Sequence, residues 1–153
     1  MHSEEFSSVE QLSYLLDEND GAMTTLANAS AYLNELLPSI NWVGFYLLDQ
    51  GELRLGPFQG KAACTRILPG KGVCGTAFSR NKTQRVEDVH AFPGHIACDS
   101  ASNSELVVVL RSEGGEPIGV LDIDSPLLNR FSAEDARNME RAAEIISAKI
   151  RLK

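Results

Sequence analysis

The most apolar run of the chain is Leu106-Val107-Val108-Val109-Leu110, and its β-branched residues are typical of a buried strand. It directly follows residues 94–105, a small and polar stretch that reads Gly-His-Ile-Ala-Cys-Asp-Ser-Ala-Ser-Asn-Ser-Glu. A loop that carries a reactive side chain and is positioned by a buried strand is a common way to build a functional site. The loop contains Cys98, and Glu105 begins the strand. We therefore predict that Cys98 is the chemical centre and that the rest of the chain positions it.

Hydrophobic periodicity outward from this strand predicts an α+β domain. Two helices are expected at about 7–37, the first capped by Ser7 with Glu10 and the second ended by Pro38. Their expected apolar residues are Val9, Leu12, Leu15 and Leu16, then Met23, Leu26, Ala29, Leu33, Leu36 and Leu37. Residues 41–125 hold the sheet and the loop, with strands expected at 42–48, 53–59, 62–67, 84–86, 105–110 and 117–124 and a short helix from 72 that ends by 81. A closing helix is expected at about 132–151. Strands joined by hairpins, with the helices segregated from them, indicate one domain over residues 1–153, built on a mostly antiparallel sheet of about six strands.

The charge and composition of the chain argue against several classes of protein. A formal net charge of −7 over 153 residues disfavours nucleic-acid binding, which needs a basic face. No apolar run approaches the roughly 20 residues that cross a bilayer, and the acidic N-terminus does not resemble a signal peptide. We therefore expect a cytoplasmic protein with no nucleic-acid or membrane partner. In that compartment three cysteines are more often buried, metal-bound or reactive than joined in stable disulfides.

Aromatic and acidic side chains are predicted to line faces of the sheet. Alternation places Trp42, Gly44 and Tyr46 on one face of the first strand, where the glycine would leave a dent between two rings. Core packing explains this pattern, and so does a wall for an apolar ligand group with the indole nitrogen and the phenol as polar contacts. Asp122 and Asp124 share one face of the last strand. Carboxylates between apolar neighbours are unfavourable unless something binds them.

The cysteines and histidines leave several kinds of chemistry open. Cys74 is expected near a helix start, where the helix dipole lowers the pKa of a thiol, so it is a candidate nucleophile. His90, His95 and Cys98, with Asp99 beside them, are ligand types for zinc, but their spacing fits no standard zinc pattern. Hydrolysis by a cysteine paired with one of these histidines is a second alternative. Three buried structural cysteines are the simplest interpretation.

Four segments of the chain carry a resemblance to a known family. They are residues 41–46 (Asn-Trp-Val-Gly-Phe-Tyr), 70–75 (Gly-Lys-Gly-Val-Cys-Gly), 95–105 (from His95 to Glu105) and 118–125 (Ile-Gly-Val-Leu-Asp-Ile-Asp-Ser). With separations of 10 residues from Cys64 to Cys74 and 24 from Cys74 to Cys98, they resemble the free methionine-(R)-sulfoxide reductases, which are GAF-domain proteins. The resemblance covers almost the whole chain. It implies a GAF-like fold and reduction of the R-sulfoxide of free methionine rather than of peptide-bound methionine.

The same resemblance implies roles for the three cysteines. Cys98 would attack the sulfoxide sulfur and become a sulfenic acid, which condenses with a second thiol. Cys64 resembles the family's resolving cysteine, and Cys74 is an alternate resolver. Thioredoxin or another dithiol would then restore the enzyme, so neither a cofactor nor a metal is expected.

The resemblance also gives roles to the walls of the site. Glu105, Asp122 and Asp124 cannot all stay ionised when crowded, so at least one should have a raised pKa and donate the proton, while another binds the substrate ammonium. Trp42 and Tyr46 resemble residues that enclose the methyl group. A homodimer through the N-terminal helices is in keeping with GAF proteins. The alternative function, from a different class, is a GAF module that binds a small ligand without reacting with it.

Overall fold

The computed structural model describes residues 8–94 and 101–151, and an antiparallel sheet lies at its centre. The strands are β1 (Trp42–Asp49), β2 (Glu52–Gly60), β3 (Arg66–Ile67), β4 (Gln84–Val86), β5 (Ser104–Arg111) and β6 (Pro117–Ser125). The helices are α1 (Leu12–Leu15), α2 (Ala22–Leu36), α3 (Gly72–Arg80) and α4 (Ala133–Ile150), with a 3₁₀ turn at Val89–Ala91. The six strands lie in the order β3-β2-β1-β6-β5-β4, and each neighbouring pair is antiparallel. The predicted α+β fold and antiparallel sheet are confirmed.

The larger core lies between one face of the sheet and helices α1, α2 and α4. Alternate strand residues point into it, and α4 contributes the apolar face that its sequence predicts. Those buried helix residues are Ala136, Met139, Ala143, Ile146 and Ile150. The start of α4 is fixed by a capping box, in which the Ser132 hydroxyl accepts from the Asp135 amide at 3.0 Å and the Asp135 carboxylate accepts from the Ser132 amide at 2.8 Å.

The smaller core lies on the opposite face, beneath α3. Trp42 and Tyr46 of β1 pack there with Val107 of β5, and α3 adds Val73 and Cys74. The β5 strand is therefore buried on both faces, which explains why its sequence is a continuous apolar run instead of an alternating one. This second face carries the candidate site.

The N-terminal helices differ from the sequence prediction in detail. Met23 is 78% exposed and Leu15 is 41% exposed, so their assignment to the apolar face is wrong. The core-facing side of α2 includes Ala22 and Leu26, and Met23 lies outside it on the exposed surface of the helix. Ser7 lies outside the described residues, and Glu10 accepts from Arg141 of α4 at 2.6 Å.

The third strand is shorter than predicted. Only Arg66 and Ile67 pair with β2, opposite Arg54 and Leu53. Residues 61–65 are not part of a strand, although the Thr65 carbonyl accepts from the Leu55 amide of β2 at 2.9 Å. Side chains of β1 bind the backbone of this segment, as described below. None of the helices in the described part of the chain combines the length and the apolar composition of a membrane span.

Candidate active site

Three carboxylates meet on the sheet face that α3 covers. Glu105 of β5 lies directly opposite Asp124 of β6, and Asp122 precedes Asp124 by two residues on the same strand. Because side chains alternate along a strand, all three carboxyl groups lie on one side of the sheet. Glu105 and Asp122 are buried, with 8% and 6% of their surface exposed. The predicted common face of the two aspartates is confirmed, and the pairing of β5 with β6 adds the glutamate to it.

Cys74 joins this cluster from α3. Its thiol donates to Glu105 Oε2 across 3.9 Å, and the thiol is buried and free. The sulfur and one carboxylate oxygen from each of Glu105 and Asp122 all lie within 4.8 Å of one another. Helix α3 thus places the Cys74 sulfur over strands β5 and β6. The cluster consists of Cys74, Glu105, Asp122 and Asp124.

Burial and mutual repulsion perturb the acids of the cluster. Burial raises the pKa of Glu105 well above its ordinary value, and the charges of Asp122 and Asp124 raise it further. Burial also raises the pKa of Asp122, while side-chain hydrogen bonds with its neighbours oppose the rise. The prediction that crowding would raise at least one carboxyl pKa is confirmed, and a raised pKa favours the protonated acid.

The same surroundings reverse the expectation for the Cys74 thiol. It is the third residue of α3, as the predicted helix start required, yet its pKa is raised well above the ordinary value. Burial is the largest cause, followed by the charges of Asp122, Glu105 and Asp124. The expectation of a lowered pKa is wrong, because desolvation next to anions outweighs the modest effect of a helix N-terminus.

The aromatic wall is built from three stacked rings. Trp42 stacks on Phe58 with centroids 5.1 Å apart and lies 6.1 Å from the Tyr46 ring. The Trp42 Nε1 donates to Lys61 O at 3.0 Å, and the Tyr46 hydroxyl donates to Cys64 O at 2.8 Å. Both polar atoms that were expected to serve a ligand are therefore bonded to the backbone. They fix the segment that carries Cys64 against β1.

Gly44 lies between the two rings, but the predicted dent is filled. The β1–β2 pairing places Phe58 opposite Gly44. A Cβ at Gly44 would overlap the Phe58 Cβ and would lie 2.8 Å from Trp42 Cη2. The glycine allows close packing of Phe58 and Trp42, and the sequence could not indicate this without the strand register.

The remaining candidates lie around this centre or outside the described residues. Cys64 is half-buried in the segment after β2. Cys98, His95 and Asp99 fall in residues 95–100, which lie outside the described residues. His90 is exposed, and its Nε2 lies 3.1 Å from Asn103 Oδ1.

Comparison with known proteins places the chain in a family. The GAF domain family model matches residues 22–151. The free methionine-R-sulfoxide reductase of Escherichia coli is 59% identical over 119 residues, which is 78% of this chain and 72% of that protein. The structure of the free methionine-R-sulfoxide reductase of Neisseria meningitidis in complex with its substrate is 43% identical, covers 97% of this chain and 89% of its own, and superposes with a TM-score of 0.89. The structure of fRMsr of Staphylococcus aureus in complex with substrate is 48% identical, covers 95% of each chain and gives a TM-score of 0.89. The chain therefore belongs to the free methionine-R-sulfoxide reductases, a family of enzymes built on the GAF domain.

Proposed function

We propose that this enzyme reduces the R-sulfoxide of free methionine with electrons from a dithiol. The observation that carries the proposal is the buried acidic cluster beside Trp42 and Tyr46. Neither Glu105 nor Asp122 forms an ion pair with a lysine or arginine among the described residues. Buried carboxylates that lack an ion-pair partner favour binding of a positively charged ligand. The ammonium group of a free amino acid is such a ligand. The choice of methionine sulfoxide as the substrate is inferred from the relatives, which are free methionine-R-sulfoxide reductases.

The two buried acids are assigned different roles. Asp122 binds the substrate ammonium, and Asp124 on the same face assists it. Glu105 acts as the proton donor, because its raised pKa keeps a proton available for the departing sulfoxide oxygen. Trp42 and Tyr46 enclose the methyl group. A pocket enclosed by these side chains would exclude a methionine that is held in a polypeptide.

The chemistry is a two-electron transfer from sulfur to sulfur. The Cys98 thiolate attacks the sulfoxide sulfur, the oxygen is protonated and transferred to Cys98, and methionine leaves. The resulting sulfenic acid condenses with a second thiol, which forms a disulfide and releases water. Two thiols of thioredoxin or a similar dithiol reduce that disulfide and are themselves oxidised. The role of Cys98 rests on the family resemblance, since this residue lies outside the described part of the chain.

Cys64 is the better candidate for the second thiol. It is disulfide-bonded, whereas Cys74 carries a free thiol. Disulfide exchange needs a thiolate, and the buried, acid-lined surroundings of Cys74 disfavour one. Cys74 is therefore assigned only as an alternate resolver.

The cellular setting follows from this chemistry. Recycling by a dithiol suits the cytoplasm, where thiols are kept reduced. We also propose self-association through the N-terminal helices, which would cover the side chains of Tyr14 and Met23, 83% and 78% exposed. Size-exclusion chromatography with light scattering at several concentrations tests the dimer, and a monomer throughout would contradict it.

The decisive experiment is a single-turnover assay without external reductant. The protein is mixed with the R or the S form of free methionine sulfoxide, or with a peptide that contains the sulfoxide, and both methionine and free thiols are counted. We expect one methionine and the loss of two thiols per chain with the free R form alone. Cys98→Ser should give no methionine, and Cys64→Ser should give one turnover without recycling.

The alternative of a non-reacting ligand module predicts binding without thiol loss. Equal rates on free and peptide-bound sulfoxide would refute the enclosed pocket, and undiminished activity of Cys98→Ser would refute the assigned nucleophile.

A further inference from the structure

We propose that Cys74, Glu105 and Asp122 form a binding site for a thiophilic divalent cation such as Zn²⁺, and that the cation inhibits the enzyme by occupying the ammonium position. The inhibition rests on the proposed function, whereas the binding does not. The chemical class is a borderline-soft cation, because the donors are one thiolate and two carboxylates.

The spacing of the donor atoms fits a small tetrahedral ion. Zinc binds sulfur at about 2.3 Å and carboxylate oxygen at about 2.0–2.2 Å, so its ligand atoms lie roughly 3.5 Å apart in a tetrahedral site. The Cys74 Sγ and Glu105 Oε2 are 3.9 Å apart, and all three donors lie within 4.8 Å of one another. The donor atoms would have to approach one another by at most about 1.3 Å to reach the tetrahedral separation. Three protein ligands leave the fourth position open, as in catalytic zinc sites.

A second observation comes from Asp122. Its Oδ1 is buried and has no hydrogen-bond partner in the described part of the chain, in a residue that is only 6% exposed. A buried carboxylate oxygen without a partner is unfavourable unless a ligand reaches it. The oxygen belongs to the same side chain that contributes to the three-donor cluster.

The scaffold of the cluster is already ordered around these donors. Glu105 and Asp122 project from neighbouring strands near the middle of the sheet, and Cys74 projects from α3 packed above them. Since each donor is held by a regular element, binding requires little ordering of the chain. The thiol of Cys74 is not used in a disulfide, so the site remains available when Cys64 is oxidised.

Competition with substrate follows from the shared carboxylates. The cation would displace the thiol proton and pair with the same acids that the proposed function assigns to the ammonium and to proton donation. A bound cation therefore excludes the ammonium, and saturating methionine sulfoxide should displace the cation.

The binding test uses the double variant Cys64→Ser/Cys98→Ser. Of the chain's three cysteines, this variant keeps only Cys74. Co²⁺ is titrated as a spectroscopic substitute for zinc, and the sulfur-to-cobalt charge-transfer band in the near ultraviolet is recorded. We expect a band that saturates at one Co²⁺ per chain and disappears when Zn²⁺ is added. Adding Cys74→Ser should abolish the band. Adding Asp122→Asn should weaken cobalt binding by at least about tenfold, because mutating even a residue that only hydrogen-bonds to a metal ligand lowers metal affinity roughly 10- to 100-fold.

Far-UV circular dichroism of each variant checks that the fold is retained, and Asp122→Asn keeps the shape of the side chain. A band that is absent from the double variant, or one that survives Cys74→Ser, overturns the site. Zinc inhibition of the wild-type enzyme should be competitive with methionine sulfoxide, and non-competitive inhibition overturns the shared position. Because the double variant lacks Cys98, its cobalt titration tests the cation site whether or not the proposed reductase activity holds.

Discussion

Replacing Gly44 by alanine tests how tightly the aromatic wall is packed. The new Cβ would lie 2.8 Å from Trp42 Cη2 and 2.9 Å from the Phe58 Cα, whereas carbon atoms pack at about 3.5–4.0 Å. The contact with the Phe58 backbone cannot be relieved by turning a side chain, so β1 and β2 must separate locally, and the contact with Trp42 requires the indole to move as well. Overpacking of this kind costs about 1–3 kcal/mol. The lower conformational entropy of alanine in the unfolded chain returns about 0.5–1 kcal/mol.

Because the clash involves the backbone, the cost of overpacking lies in the upper part of its range, at about 2–3 kcal/mol. The net loss in the free energy of unfolding is then about 1–2.5 kcal/mol, which lowers the melting temperature by roughly 2–10 °C for a chain of this size. Urea unfolding gives the free energy, and KM for methionine sulfoxide should rise because the indole is displaced. Gly114→Ala is the matched control, since its nearest neighbour would be Ser112 Oγ at 3.9 Å. It should keep the wild-type KM and should not lower the free energy of unfolding, because it has the same entropy effect in the unfolded chain without a clash. A Gly44→Ala protein with the wild-type urea midpoint would refute the packing argument.

Three further predictions concern the acid cluster, the closing helix and the buried thiol. The folded state keeps a proton on Glu105 that the unfolded chain loses above pH 4.5, so the free energy of unfolding should fall as pH rises through and above that value. Glu105→Gln should flatten this fall in urea titrations on either side of pH 4.5, and an unchanged slope would contradict the assignment. Ser132→Ala removes one half of the capping box of α4, and thermal unfolding should report a loss of about 1 kcal/mol. In the single-cysteine double variant, iodoacetamide should label Cys74 at least about 100-fold more slowly in buffer than in urea, because the thiol is buried and protonated; rapid labelling of the folded protein would show that the thiol is accessible.

Much of the site could be predicted because strands impose a period of two. That period placed Asp122 with Asp124 and Trp42 with Tyr46, and the apolar run at residues 106–110 marked a strand buried on both faces. The strand register could not be predicted, and it decided that Phe58 fills the space over Gly44.

The surroundings of Cys74 could not be predicted for a related reason. A helix start is a local feature that a sequence indicates, and its effect on a thiol is modest. The burial of that thiol against Glu105 and Asp122 depends on how α3 packs over two distant strands. Tertiary burial therefore set the direction of the pKa shift.

Under the proposed function, the two hydrogen bonds from the aromatic wall to residues 61–64 would link substrate selection to enzyme regeneration. The side chains that would shape the methyl pocket also hold the backbone at Lys61 and Cys64. Truncating Trp42 or Tyr46 to accept bulkier sulfoxides would also release the segment that carries Cys64, the proposed second thiol. Such variants should gain substrates and lose multiple turnover together, unless a new anchor for that segment is introduced at the same time.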